Sequence, residues 1–188
     1  MDFTFRHVVT VLHGWCFGAV FLIGFPAALL ALTGMTGRDE PGPSAREQRV
    51  LAGGLWLMAA AGWIAVLTGA YVIYPWYRAK PPGGVTDLAA FPRSLLLSNP
   101  GTAWWHSFGM EWKEHVSWIA PIVLTTVAYV FTLYGASLSR HGAVRRTVLA
   151  LTLVAFVTAG IAGELGNLLS KVAPVGVSAV AQQAGGAR

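Results

Sequence analysis

Three ionisable side chains, His13, His115 and Glu164, fall inside or at the mouth of apolar stretches long enough to cross a bilayer. Ionisable groups at membrane depth cost roughly 2.5 to 3.5 kcal/mol on insertion scales, so they are rare there and mark functional sites. An imidazole offers a metal-ligating nitrogen and titrates near neutral pH. A carboxylate in a poorly solvated setting can hold and release a proton. Residues of these types, at one level of a membrane, point to a cofactor or proton site built between helices.

The elements that must carry them are membrane spans. Hydrophobic residues make up 55% of the 188 residues and charged ones only 11%, where a soluble domain carries about 25%. Four stretches of roughly 20 or more apolar residues meet the length needed to span: about 8–32, 50–74, 116–138 and 148–169. The expected fold is therefore an all-α membrane protein, a four-helix up-down bundle with one long Pro/Gly/Trp-rich loop. Helices satisfy their own backbone hydrogen bonds in lipid. Residues 1–175 read as one transmembrane domain and 176–188 as a flexible tail. The first span is longer than a signal-peptide core and is expected to be retained.

The net charge of +5 is no nucleic-acid footprint, because the basic residues are spread over connections and ends as flanks against acidic headgroups. Cys16 is the only cysteine, so no intrachain disulfide forms. Pro26 should kink the first helix. The second ends in an aromatic belt of Tyr71, Tyr74, Trp76 and Tyr77, with Pro75 as breaker. The connection 78–107 contains Pro81-Pro82-Gly83-Gly84, Phe91-Pro92 and Asn99-Pro100-Gly101, with residues 89–97 fit for a short interfacial helix. Trp104, Trp105, Trp112 and Trp118 lead into the third span, where Glu111, Lys113 and Glu114 read as a solvated face. Small residues four apart, Gly14 with Gly18, Ala159 with Gly163 and Ala162 with Gly166, would let helices approach closely.

The first and third helices run the same way, so His7, His13, His106 and His115 collect at one membrane face, while His141 lies in a basic turn at the other. The fourth helix returns Glu164 to the first face. A b-type heme takes two axial imidazoles from different helices, and diagonal helices can each supply one. His13 and His115 are the expected metal ligands, weighed evenly against hydrogen-bonding histidines. Arg78, Lys80 or Lys113 would pair with heme propionates. His7 and His13 are six residues apart in sequence, so they point about 120° apart on a helix and cannot share a site. A second heme on His7 and His106, nearer the surface, is the weaker arrangement. Glu164 reads either as a proton or quinol ligand, acting in turnover, or as a packing residue bonded to Asn167, a tyrosine or a neighbouring subunit.

Phosphate-cradling glycine loops, thiolate zinc spacings and adjacent nucleophile–base pairs are absent from the sequence. Leu12-His13-Gly14-Trp15, and His106 through His115 with Trp118, resemble the small four-helix membrane cytochromes of the b type. They are also similar to copper-resistance-D-type membrane proteins, although no Met/His-rich loop supplies soft copper ligands. The resemblance implies heme b, one or two per chain, and electron transfer with a quinone or cytochrome. The expected function is a b-type cytochrome subunit passing electrons between a quinone pool and a redox partner. Expected partners are other membrane subunits, an extracytoplasmic redox protein and the lipid bilayer, and no nucleic acid. The alternative is a cofactor-free structural subunit of a respiratory or photosynthetic complex. The connections rich in arginine (Arg38, Arg46, Arg49, Arg140, Arg145, Arg146) place both termini outside the cytoplasm of an inner (plasma) membrane.

Overall fold

The computed structural model describes residues 5–35 and 43–174. Within them the chain is all-α. The helices long and apolar enough to cross a membrane number four among the described residues: α1 (Phe5–Gly34), α2 (Ala45–Tyr77), α4 (Pro100–Tyr134) and α5 (Gly142–Val172). A short α3 (Pro92–Leu97) lies in the long connection. The expected tail 176–188 and residues 36–42 of the first connection lie outside the described residues.

α1 packs on α2 and α5, α2 on α4, and α4 on α5, so α1 and α4 occupy the diagonal of an up-down bundle. The ends are set by local chemistry. Ser44 caps α2 through a reciprocal box: its hydroxyl accepts the Glu47 N–H at 3.3 Å, and the Glu47 carboxylate accepts the Ser44 N–H at 2.7 Å. Asn99 caps α4, its Oδ1 accepting the Gly101 N–H at 2.8 Å. Gly135 closes α4 with φ 47° and ψ −129°, a region open in practice only to glycine.

Two proline expectations change. Pro75 was expected to end the second helix, yet α2 runs on to Tyr77. A π-helical stretch at Gly69–Ile73 precedes the proline, and the widened turn absorbs the missing N–H. The third helix, expected to start outside the bilayer with Glu111, Lys113 and Glu114 in its first turns, begins earlier still, at Pro100, and carries its own π stretch at Trp105–Met110. Its helix loosens at 116–118, one turn ahead of Pro121, whose ring would clash with the Ser117 carbonyl. Nearby carbonyls find side-chain donors: Ser117 Oγ donates to Lys113 O, and Trp118 Nε1 donates to Glu114 O at 3.0 Å.

The apolar core lies in the half of the bundle away from the termini. Phe21, Phe25 and Leu32 of α1 meet Leu55 and Met58 of α2, Leu124 and Phe131 of α4, and Val148 and Ala155 of α5. Phe156 stacks on Phe25 at 3.9 Å between centroids. Trp56 and Trp63 donate from α2 to Thr132 and Thr125 of α4 at 3.1 and 3.0 Å. The close approaches expected of small residues occur elsewhere than at Gly14 and Gly18, which face open space. Gly24 packs on Met58 and Gly62 on Pro121. A second, smaller cluster of Tyr77, Leu96, Met110, Leu169 and Ala173 seals the terminal end beneath the long connection. Between the two clusters lies a layer with polar side chains.

Candidate functional site

His13 anchors this layer. It is half-buried on α1, and its Nδ1 lies 3.1 Å from Thr68 Oγ1 of α2. The Thr68 hydroxyl spends its single proton on the Ile64 and Ala65 carbonyls, at 2.6 and 3.1 Å. With that proton committed, Thr68 is the acceptor for His13 Nδ1–H, and the Ala65 carbonyl of α2 lies within reach of the same ring. Gly69, first residue of the π stretch, lets the ring lie flat against α2. A Cβ there would stand 3.1 Å from His13 Cε1.

Lys113 comes from α4. Its ammonium rests on the backbone of α5 at Gly166, where a Cβ would come within 2.6 Å of Nζ. It is near enough for His13 to feel its charge. Glu114 follows: its carboxylate lies close to the Tyr74 hydroxyl of α2, and its Oε1 is buried with no hydrogen-bond partner, as is Trp112 Nε1. Just beyond, Arg93 Nε donates to His106 Nε2 at 3.4 Å, so His106 Nδ1–H donates to the buried Tyr77 hydroxyl at 2.8 Å. α1 joins this end through Phe5 and Arg6, which lie against Trp76 at 6.2 and 5.2 Å.

The residues expected to form the site are divided by the structure. His13 and Lys113 face each other across the layer. His115 does not join them: its side chain is 71% exposed, and Nδ1–H donates to the Glu111 carbonyl at 2.9 Å, one turn back along α4. Lys113 takes the inward direction that sequence reasoning gave to His115. Glu164 is exposed on the outer face of α5, while Ala162 and Leu165 beside it are buried, so it does not meet His13. His7 is half-buried in the first turn of α1. His106 has both ring nitrogens engaged, so ligating a metal would break one of its bonds. Arg78 and Lys80 gather with Arg93 around a shallow pocket. His141 is exposed in the opposite turn, donating to Ser137 O at 2.8 Å, the solvated position expected for it.

Sequence reasoning missed Thr68, read Tyr74 and Tyr77 only as an interfacial belt, and set Glu114 on a solvated face; Lys113, named there as a propionate partner, was placed on that same face. The legible signal was the pair of charges beside Trp112 and Trp118 in the approach to the third apolar stretch.

An imidazole whose Nδ1–H is held by an outer partner would offer Nε2 to a metal. Gly14 and Gly18, with no atom near the Cβ that each lacks, face open space on α1. His13 is thus the residue that would hold a heme iron, whereas the exposed His115 does not share its layer. Glu111, Glu114 and His115 form a separate group with ligand atoms within 4.8 Å of one another, largely exposed on α4. No protein-family model matches the chain, and neither does a curated protein or a solved structure.

Proposed function

We propose that this multi-pass membrane chain is an electron-transfer subunit of the b-cytochrome class, carrying heme on His13. It would pass electrons between a quinone pool and a redox partner within a larger complex. The observation that carries the reading is the His13–Thr68 bond. It orients the imidazole between two apolar clusters, where a polar side chain is costly.

A bound heme supplies one-electron chemistry at a potential set by its ligand and surroundings. The chain's own residues do the rest. Thr68 orients the imidazole. Lys113 brings a positive charge that balances a propionate or an anionic quinone state. Tyr74, close to Glu114, and Tyr77, bonded to His106, offer hydroxyls and a carboxylate for moving protons at the terminal end. The inner membrane location, with both termini outside the cytoplasm, belongs to the same proposal and rests on the arginine-rich opposite connections.

The test is a reduced-minus-oxidised spectrum of the purified chain, with pyridine hemochrome quantitation. Heme b near one per chain, lost in His13→Ala, is the expected result. A chain that folds and purifies without heme, even after expression with added precursor, overturns it. The second reading is a cofactor-free subunit that positions a redox or photosynthetic assembly. It draws support from His106 and His115, which act as hydrogen bonders, and from Glu164, which lies on the outer surface.

A further inference from the structure

Beyond the helix layer, basic residues converge where the chain leaves the membrane. Arg78 follows the last residue of α2, and its guanidinium lies 5.4 Å over the Tyr74 ring. Lys80 precedes Pro81 and Pro82, which stiffen the exit. Arg93 comes from the first turn of α3, the element packed against this exit, and Ser94 follows it. With Pro81 and Leu97 these residues line a pocket of about 390 Å³, within the range of roughly 300 to 1,000 Å³ common for ligand sites.

The lining holds three cations and a hydroxyl, and no acidic side chain. Three like charges brought together by two elements create a local positive potential that attracts an anion. Arg93 spends only Nε on His106, leaving its terminal nitrogens for the pocket. Guanidinium groups match the oxygens of phosphate, and lysine adds a point charge. The level is that of Tyr74 and Trp76 on one side and Trp104 and Trp105 on the other, aromatic side chains of the kind that sit among headgroups. Leu97, exposed on the pocket rim, offers apolar contact to a glycerol or an acyl chain.

We propose that Arg78, Lys80, Arg93 and Ser94 form a binding site for the phosphate of an acidic phospholipid headgroup. The site is separate from His13 and does not depend on the heme reading. It would fix the exit of α2 and the docking of α3 at the membrane surface, with the lipid as a structural ligand.

Native mass spectrometry of the full chain, released from nanodiscs of phosphatidylglycerol mixed with phosphatidylcholine, tests this. The expected result is one retained phosphatidylglycerol per chain, at least tenfold enriched over phosphatidylcholine. Enrichment should collapse in the Arg78→Gln/Lys80→Gln double variant. It should survive in Arg140→Gln/Arg146→Gln, which loses the same charge at the opposite end. Thermal midpoints in detergent provide a second readout, rising with added phosphatidylglycerol for the parent chain but not for the first double variant. Equal retention of both lipids, or unchanged enrichment in that variant, overturns the proposal. Stabilisation by inorganic phosphate alone, with no further gain from phosphatidylglycerol, overturns the lipid as the source. Loss of heme from the Arg78/Lys80 variant with lipid retention intact also overturns it, and returns these cations to propionates.

Discussion

His13 on α1 donates through Nδ1 to Thr68 on α2 across 3.1 Å, and Thr68 can only accept because its own proton is committed to the helix backbone. This one-way relation orients the imidazole. Removing the acceptor while keeping its shape should therefore matter. Thr68→Val is expected to lower heme occupancy by roughly 10- to 100-fold in affinity, the cost typical of losing an outer partner of a metal-ligating histidine. Thr68→Ser should retain most of it. Heme titration of both variants checks the claim, and equal affinity in parent and Val forms would refute it.

Gly69→Ala sets two effects against each other. Alanine gains about 0.8 to 1.0 kcal/mol in helix propensity, but its Cβ would stand 3.1 Å from His13 Cε1. Crowding of this kind typically costs 1 to 3 kcal/mol where neighbours are fixed. The net change in thermal stability should be small, because the terms oppose. Cofactor occupancy should fall, since the ring is the neighbour that yields. A unchanged occupancy with a raised midpoint would show that the imidazole has room to move.

The two histidines expected to act together should separate on mutation. His13→Ala is expected to remove the heme spectrum. His115→Ala, altering a largely exposed ring bonded to its own helix, should leave heme content and band positions as they were, as should His141→Ala. Loss of heme in His115→Ala would mean that the loosened turn at 116–118 lets this ring swing inward.

Glu164 is on the outer face of α5, with no hydrogen bond or ion pair to another described residue. In the isolated chain, Glu164→Gln and Glu164→Leu should each change stability by no more than about 0.5 kcal/mol, as for surface sites. Heme content should also be unchanged. Thermal melts in detergent with parallel heme assays decide this. A marked loss in the Leu form would place a polar partner against it within the chain.

Gly135→Ala tests the turn between α4 and α5. The backbone there has φ 47°, and the new Cβ would meet Gln48 Oε1 at 2.9 Å. A destabilisation of order 1 to 3 kcal/mol is expected from the backbone conformation alone. Adding Gln48→Ala should recover little of it. Full recovery in the double variant would assign the cost to the side-chain contact instead.

The four spans were legible because continuous apolar runs of this length are the signature of helices that satisfy their own backbone hydrogen bonds in lipid. The diagonal relation of the first and third helices followed from the simple up-down order of four spans. His13 was legible as an ionisable group in an apolar run. Its partner was not: Thr68 is one of many threonines in spans, and nothing local marks it. His115 was set inward because it sits at the mouth of the third apolar stretch, and Lys113 outward because charges flank it; neither placement could include the π stretch before these residues or the loosened turn after them, which set the helical phase of α4. Glu164 was set inward by depth alone, whereas Ala162, Leu165 and Leu169 hold the inward face of that helix.

The confinement of the main core to one half of the bundle makes α1 a cantilever. From Phe21 to Met35 it is clamped by aromatic and aliphatic packing. From Phe5 to Gly18 it has no fully buried side chain among those described. Its free end is latched by a few specific contacts, Phe5 and Arg6 on Trp76 and His13 on Thr68. A beam held this way bends at its unclamped end first, and His13 is one of the side chains at the latch. The same hydrogen bond that orients the imidazole also ties the lightly packed end of α1 to α2.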